Sequence, residues 1–343
     1  MAPVRRDIAD RFKKHVEILR ADVFFGDEWN KIKKSMSINE MCDKLKCRTD
    51  HLYPLLKYTL VAVYTGTYAI AIKRLRERGN ICYLDATAGS GITIINYRKS
   101  EIPIFGTGVI GLIMPTYGLH KLKIKKIDKV NSLKFNKAIF FEIDEDKRNL
   151  LKKLHSEVCK TLRRSGYDCP EIKYDSDVNH FDPAKYDCAH WLIVIDPEGA
   201  DIHWSTMQKF LSLNADIIYN YMCASLRRQV DFQCKNIGGA FDKYFPKGWR
   251  TLCNKRSSVE KIGEELYNFY KSKIVELGKD IYDASVFGDM FDWHYHLMLI
   301  LRRGGLKKHP WVERFEEYKT YIEMLGEEGL KELLGSYSLT QFM

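Results

Sequence analysis

The sequence lacks the long apolar segments that mark membrane and secreted proteins. No run approaches the roughly 20 apolar residues that a membrane helix requires. The first residues, MAPVRRDIADRFKK, are charged, and no apolar signal core follows them. No internal repeat or low-complexity tract is present either. These absences favour a soluble globular protein located in the cytoplasm.

Cysteine pairs of the metal-binding kind are also missing. The nine cysteines are scattered without a CxxC pair, and Cys42 and Cys47 are the closest two. This spacing indicates neither a zinc ribbon nor a cysteine-ligated iron–sulfur cluster, so we predict no metal site. Free thiols are the expected state of these cysteines in the cytoplasm.

What the chain does have is an excess of positive charge. The 55 Lys and Arg residues exceed the 45 Asp and Glu residues, which gives a formal net charge of +10. Such an excess attracts polyanions, and nucleic acid is therefore a predicted partner. A solvated edge hairpin is an equal alternative for the most basic segment, HKLKIKKIDKVNSLKFNK. The lysines predicted to contact nucleic acid are Lys121, Lys123, Lys125, Lys126 and Lys129.

The middle of the chain alternates strand and helix patterns. Continuously apolar strands are predicted near residues 81, 138, 192 and 216, with a later strand near 295, and such strands suit burial on both faces. The helical pattern of residues 146–166 is the clearest, and GITIINYRKS is predicted to be the helix after the first strand. We predict an α/β fold with a doubly wound, mostly parallel sheet over residues 51–305. A helical arm or cap over 1–50 and a helical extension over 306–343 flank it.

Acidic and small residues follow the predicted strands, at the edge where doubly wound sheets bind ligands. The first strand leads into a glycine turn, YLDATAGSG, which contains Asp85, Ala86, Thr87, Gly89 and Gly91. Glycine supplies the permissive backbone that a tight strand-to-helix turn beside a ligand needs.

The next strands end in further carboxylates. Glu142 ends the second strand and can accept both hydroxyls of a ribose, Asp175 or Asp177 ends the third, and Asp196 with Pro197 ends the fourth. Glu142 comes far later than the roughly 20 residues expected after a glycine loop. An insertion over about 100–136 is therefore predicted, either as a substrate lip near the cofactor loop or as a lengthened helix with a hairpin.

Together, DATAGSG, FFEID and IVIDPEG resemble the first, second and fourth motifs of the class I S-adenosylmethionine-dependent methyltransferases. The chain is most similar to the three-Cys-motif partner family, through its D-P-x-G followed by Trp204. The resemblance implies S-adenosylmethionine as the cofactor, bound by the residues Asp85, Ala86, Thr87, Gly89, Gly91, Glu142, Asp177 and Asp196. It also implies an alternative, a non-catalytic partner protein that binds the cofactor or a radical-enzyme-like cysteine-motif protein.

The fourth motif departs from that of enzymes that methylate base amines. DPEG has Glu198 and Gly199 where those enzymes resemble D/N-P-P-Y/F, so stacking on a flipped base would have to come from Trp204 or Tyr221. Lys57 and Asp196 can begin the lysine–acid set of a 2′-O methyltransferase, but no lysine follows the fifth strand. We predict a methyltransferase that acts on DNA or RNA, with Asp196 and Pro197 as its catalytic residues.

Overall fold

A computed structural model gives the fold of the chain. It describes residues 6–49, 53–97, 100–254, 259–287 and 294–303, and six residues between 313 and 321. Most of the predicted C-terminal extension, 306–343, lies outside the described residues.

The described strands are short, and most of those after residue 105 are separated by helices. They are β1 Arg48–Thr49, β2 Ile81–Asp85, β3 Ile92–Tyr97, β4 Ser100–Phe105, β5 Lys137–Phe141, β6 Glu171–Asp175, β7 His190–Ile195, β8 Ala215–Tyr221, β9 Lys279–Phe287 and β10 His294–Arg302.

Helices precede the first long strand and separate most later ones. They are α1 Arg6–Leu19, α2 Ala21–Phe25, α3 Trp29–Ser35, α4 Ile38–Lys44, α5 Tyr53–Ala71, α6 Thr107–Ile113, α7 Leu119–Lys121, α8 Ile127–Val130, α9 Glu145–Arg164, α10 Trp204–Ser212, α11 Cys223–Lys235, α12 Ala240–Tyr244 and α13 Val259–Glu276. A π-helical turn, Met114–Gly118, links α6 to α7.

The main sheet has the strand order β6-β5-β2-β7-β8-β10-β9. Its first five strands are parallel, whereas β10 runs antiparallel to both β8 and β9. The α/β class is confirmed, and the sheet is mixed rather than wholly parallel. From β2 the chain moves outward to β5 and β6, then returns to β7 and moves the other way. The order therefore reverses between β2 and β7, where open α/β sheets bind ligands.

Both faces of this sheet are covered, as the continuously apolar strands predict. Successive residues of β2 enter different cores: Tyr83 packs with residues of α5, α6 and α9, and Leu84 packs with residues of α10 to α13. The first core also contains Phe12 and Val16 of α1. The N-terminal helices thus share a hydrophobic core with the sheet.

A second, three-stranded sheet corrects the prediction of a helix directly after the glycine turn. β3 pairs antiparallel with β4 and parallel with β1. The residues of GITIINYRKS are rich in β-branched isoleucine and threonine, which favour strands over helices. The helix that follows the glycine turn is α6, which begins only after this hairpin.

The start of the predicted insertion over about 100–136 contacts the glycine turn, since the N–H of Gly106 donates to the carbonyl of Gly91 at 2.9 Å. The lysine-rich segment lies away from this turn, so a substrate lip stays a prediction for the start of the insertion alone. Lys125 and Lys129 face Ile70 and Arg74 at the C-terminal end of α5. α5 advances about 20 Å between Lys57 and Ile70, at 1.5 Å per residue. The segment forms α7, α8 and turns rather than an edge hairpin. It lies toward the end of the sheet that is opposite the glycine turn.

Three disulfides correct the prediction of free thiols. They join Cys82 to Cys188, Cys159 to Cys169 and Cys234 to Cys253. The three remaining cysteines, Cys42, Cys47 and Cys223, are free. No local motif marks these pairs because their members are 106, 10 and 19 residues apart and meet only in the fold.

One helix is longer and more apolar than the sequence prediction allowed. Residues Pro54–Arg78 have the length and composition of a membrane span, and 83% of the most apolar window is buried inside the protein. This segment contains α5, which packs against α1 and α6 in the core. The apolar side chains of this helix are therefore buried in the protein core.

Candidate functional site

A cavity of about 410 Å³ lies at the carboxyl ends of the strands, at the reversal point between β2 and β7. The glycine turn, from Thr87 to Gly91, forms one wall, and Lys57 and Asp196 form another. The arm segment Leu45–Thr49 and the start of the β3–β4 hairpin enclose the cavity from the side. Predicted site residues from different parts of the sequence are therefore brought together here.

The glycine turn has a backbone that requires glycine at two positions. Gly89 and Gly91 have φ of +60° and +76°. A Cβ on Gly91 would lie 2.5 Å from Leu151 of α9, whereas nothing lies within 4 Å of a Cβ on Gly89. Gly91 is thus needed for close packing, and Gly89 presents open backbone at the cavity wall.

Asp85, at the start of the turn, lies behind the part that forms the cavity wall and is fully buried. The backbone N–H of Thr87 donates a 3.1 Å hydrogen bond to its Oδ1. Burial raises the pKa of Asp85 to about 7, opposed by hydrogen bonds from Thr107 and Thr87. Ala86 is also buried, and its N–H bonds to the carbonyl of Val194 at 2.8 Å. The structure therefore places these two residues as supports of the turn, behind the cavity wall.

Glu142 joins the end of β5 to the glycine turn. Its Oε2 accepts from the N–H of Gly89 at 2.8 Å, and its Oε1 accepts from the N–H of Asp144 at 2.8 Å. Burial raises the pKa of this carboxyl. The next residue, Ile143, is 75% exposed. Neither Glu142 nor Ile143 is among the described residues that line the cavity, and Glu142 is linked to it through the N–H of Gly89.

Asp196 forms the most connected polar group of the cavity. Lys57 Nζ lies 2.8 Å from its Oδ1 and 2.6 Å from its Oδ2, and Asn220 Nδ2 donates to Oδ1 at 2.7 Å. The N–H of Asp196 donates to Thr87 Oγ1 at 2.8 Å. The side chains of Lys57 and Asp196 are only 9% and 13% exposed. This buried ion pair ties α5 to the end of β7.

Asn220 has one unusual feature. It is 1% exposed, and its Oδ1 has no hydrogen-bond partner among the described residues. A buried amide oxygen without a donor is costly, and one that lines a cavity is suited to accept from a bound molecule. The sequence analysis looked for a lysine after this strand, β8, and overlooked the asparagine within it.

Three other predicted residues have structural contacts outside this cluster. Asp177 accepts from the N–H of Asn179 and begins the short turn of residues 178–180. Trp204, at the start of α10, packs edge-on against Tyr270 with ring centroids 5.2 Å apart. Tyr221 is fully buried among Tyr244, Tyr267 and Tyr270. Among the residues that the structure describes, the aromatic side chain that lines the cavity is that of Tyr58.

No model of a known protein family matches the sequence, and no curated protein matches it. Solved structures match at low similarity. The plantazolicin methyltransferase BpumL in complex with SAH is 12% identical, with 88% of this chain and 99% of that chain covered and a TM-score of 0.29.

Two further structures are similar to the same degree. Protein LPL1258 from Legionella pneumophila is 11% identical over 80% of this chain and 92% of its own, with a TM-score of 0.40. Trm1 from Pyrococcus horikoshii, in complex with S-adenosyl-L-methionine, is 12% identical over 70% of this chain and 55% of its own, with a TM-score of 0.33. Because these TM-scores are below 0.5, we base the fold on the strand order and connections described above.

The raised pKa of Asp85 predicts a specific pH dependence of stability. The folded state holds the proton up to about pH 7, and the unfolded state releases it near the ordinary value of 3.8. Stability from this group is therefore present at low pH and is lost as pH rises toward and through 7. Between pH 5 and pH 8 the unfolding free energy of the parent should fall by about 2 to 3 kcal/mol relative to Asp85→Asn.

Urea unfolding of both proteins at the two pH values measures this difference. Asparagine keeps an acceptor for the Thr87 N–H but does not titrate. Parallel pH profiles for the two proteins would show that Asp85 is ionised throughout this range.

Proposed function

We propose that the protein is an S-adenosylmethionine-dependent methyltransferase that acts on nucleic acid, DNA or RNA. The observation that carries the proposal is the cavity at the reversal point of the sheet. An open glycine turn with a carboxylate bonded to its backbone forms one side, and a buried Lys57–Asp196–Asn220 cluster forms the other. One side suits a nucleoside cofactor, and the other suits the group that accepts the methyl.

The cofactor side fits an adenosyl group in shape and chemistry. Gly89 leaves space at the wall, so that a ligand can approach the backbone closely. Glu142 retains acceptor capacity beyond its two backbone hydrogen bonds, because each carboxylate oxygen accepts about two. It can therefore also hold ribose hydroxyls, while the exposed Ile143 offers an apolar surface for a base.

On the acceptor side, the protein positions a nucleophile and receives its hydrogen bond. S-adenosylmethionine supplies, when bound, a methyl group on a positively charged sulfur. Asn220 Oδ1 can accept a hydrogen from the nucleophile, and the Asp196 carboxylate beside it is held in place by Lys57. Pro197 fixes the backbone directly after this carboxylate. Tyr58 supplies an aromatic ring at the cavity wall.

The charge of the chain supports nucleic acid as the substrate class. The net charge of +10 favours phosphate contacts. Lys46, Arg48 and Lys147 bring cationic side chains to the cavity wall. The five lysines between Lys121 and Lys129 would bind phosphates at a second, more distant surface, since Lys125 and Lys129 of this segment lie beside the C-terminal end of α5.

The alternative is a protein that binds the cofactor, or a cysteine-motif partner protein, without transferring the methyl group. One observation favours it: both oxygens of Asp196 are already bonded to Lys57, and one also to Asn220. A carboxylate held in this way serves structure as well as catalysis. The transfer experiment below distinguishes the two functions.

Replacing Glu142 with alanine should weaken the binding of S-adenosylhomocysteine by about 1.5 to 3 kcal/mol, because hydrogen bonds to a charged group are lost. Isothermal titration calorimetry on parent and variant measures the change. Glu157→Ala is the matched control, since this glutamate lies further along α9 and pairs with Lys160 on the surface. Equal affinity in parent and Glu142→Ala would remove Glu142 from the cofactor site.

Replacing Asp196 with alanine should lower methyl transfer by about 100-fold or more, the scale of a lost general base. Affinity for S-adenosylhomocysteine should stay within a few fold. Radiolabelled cofactor, incubated with separate DNA, RNA and protein pools from the host, gives the readout. Because the change leaves the Lys57 ammonium buried without its carboxylate, it also destabilises the fold, by about 3 to 5 kcal/mol for a buried pair.

The double variant Lys57→Met with Asp196→Asn controls for that loss of stability, since it removes both charges together. It should fold better than Asp196→Ala and remain inactive. Full transfer by either variant would place catalysis elsewhere. A parent that binds the cofactor firmly but labels no pool would favour the non-catalytic alternative.

Neutralising Lys125, Lys126 and Lys129 with glutamine should flatten the dependence of nucleic-acid affinity on salt. The slope of log affinity against log salt should fall by about 0.7 to 0.9 per lost phosphate contact. The control changes Lys152, Lys153 and Lys160, which are exposed on α9, and has the same net charge. If both triple variants show the slope of the parent, this lysine segment is a solvated surface.

A further inference from the structure

The end of α4 brings Cys42 and Cys47 together. The N–H of Cys47 donates to the carbonyl of Cys42 at 3.0 Å, and Lys46 between them has a left-handed backbone with φ of +55°. This hydrogen bond and backbone conformation are those of a Schellman ending, in which the side chains at these two positions frequently lie against each other.

The two thiols differ in their surroundings. Cys42 is fully buried, whereas Cys47 is partly exposed and lines the cavity beside Ser90. The neighbouring Cys42 side chain, Ser90 and the charge of Lys147 lower the pKa of the Cys47 thiol, and burial opposes them. The neighbouring Cys47 side chain and burial raise the pKa of Cys42. Cys47 is therefore the more acidic and the more accessible of the two thiols, as an attacking thiol must be.

The other seven cysteines are in different states. Six form the three disulfides. Cys223 is buried, and burial raises its pKa to about 12, so it is poorly reactive. Cys42 and Cys47 are thus the two free cysteines that the backbone hydrogen bond at the end of α4 brings side by side.

We propose that Cys42 and Cys47 form a redox-modification site in the cavity wall, with Cys47 as the attacking thiol and Cys42 as the resolving thiol. The oxidant class is a small-molecule disulfide, RSSR. The Cys47 thiolate attacks one sulfur of RSSR, forms a mixed disulfide and releases RS⁻. Cys42 then loses its proton and attacks the Cys47 sulfur, expelling the second RS⁻. Two protein thiols are oxidised by two electrons, and RSSR is reduced to two RSH.

Oxidation would change the wall at which the glycine turn is held. In the reduced state Cys47 lines the same cavity as Ser90 of that turn, and the carbonyl of Cys47 accepts from the N–H of Ile94 in β3 at 2.8 Å. Closing the disulfide turns the Cys47 sulfur away from the cavity and toward Cys42. We expect the affinity for S-adenosylhomocysteine to fall by about 3- to 10-fold, the scale of one lost hydrogen bond. This consequence, unlike the thiol chemistry, rests on the proposed function.

The test treats the full chain with 2-hydroxyethyl disulfide, then maps disulfides and adducts by mass spectrometry. The parent should form a Cys42–Cys47 disulfide that a dithiol reductant reverses. Cys42→Ser should stop at a mixed disulfide on Cys47, because the resolving thiol is missing. Cys47→Ser should leave Cys42 unmodified, because that thiol is buried. Cys223→Ser is the matched control and should behave like the parent.

Three results would overturn the proposal. They are the absence of a Cys42–Cys47 disulfide in the parent, equal modification of the two single variants, and an adduct that forms first on Cys42. Calorimetry with S-adenosylhomocysteine on the reduced and oxidised parent then measures the consequence for binding. If the reduced parent does not bind this ligand, the proposed function fails, while the disulfide mapping still decides the redox site.

Discussion

The buried ion pair between Lys57 and Asp196 is the interaction on which the cavity depends. It joins two residues that are 139 positions apart in sequence, one on α5 and one at the end of β7. Two buried charges are tolerated only when each is paired and hydrogen-bonded, and here Asn220 completes the bonding of the carboxylate. The pair thereby fixes the position of α5 against the sheet, and with it Tyr58 in the cavity wall.

The acidic residues around the glycine turn hydrogen-bond to the turn and hold its conformation. Asp85 and Glu142 both accept backbone N–H groups of the turn, and the N–H of Asp196 reaches Thr87 within it. Three strands, β2, β5 and β7, therefore hold one loop from three sides. Burial raises the pKa of Asp85 and of Glu142, so the fold disfavours the charged form of both carboxyls that support the turn. Such perturbed groups cluster at functional sites more often than elsewhere.

The N-terminal arm and the β3–β4 hairpin complete the cavity from the side. Arg48 bonds to Glu101 of β4 at 2.6 Å, and Lys44 bonds to Asp146 of α9 at 2.5 Å. These ion pairs are partly or largely exposed and individually weak, so the pairing of β1 with β3 and the shared core supply most of the attachment. The segment that carries Cys47 is thus part of the wall.

The sequence by itself determined the α/β class, the strands β2, β5, β7 and β8, the helix α9 and the glycine turn. These are local properties, since apolar runs, helical periodicity and glycine spacing reflect contacts between near neighbours. Because parallel strands have their carboxyl ends on the same side of a sheet, Glu142 and Asp196 could also be predicted to lie near each other.

Only the tertiary structure decided which residues face the cavity. Asp85 and Ala86 lie beneath the glycine turn, and Trp204 packs in an aromatic core, although all three have the residue types of a site. The three disulfides and the distant position of the lysine segment were likewise beyond the sequence patterns. The physical reason is the same in each case: these features depend on which surfaces remain after long-range packing. A single sequence records residue types but not the neighbours that packing gives them.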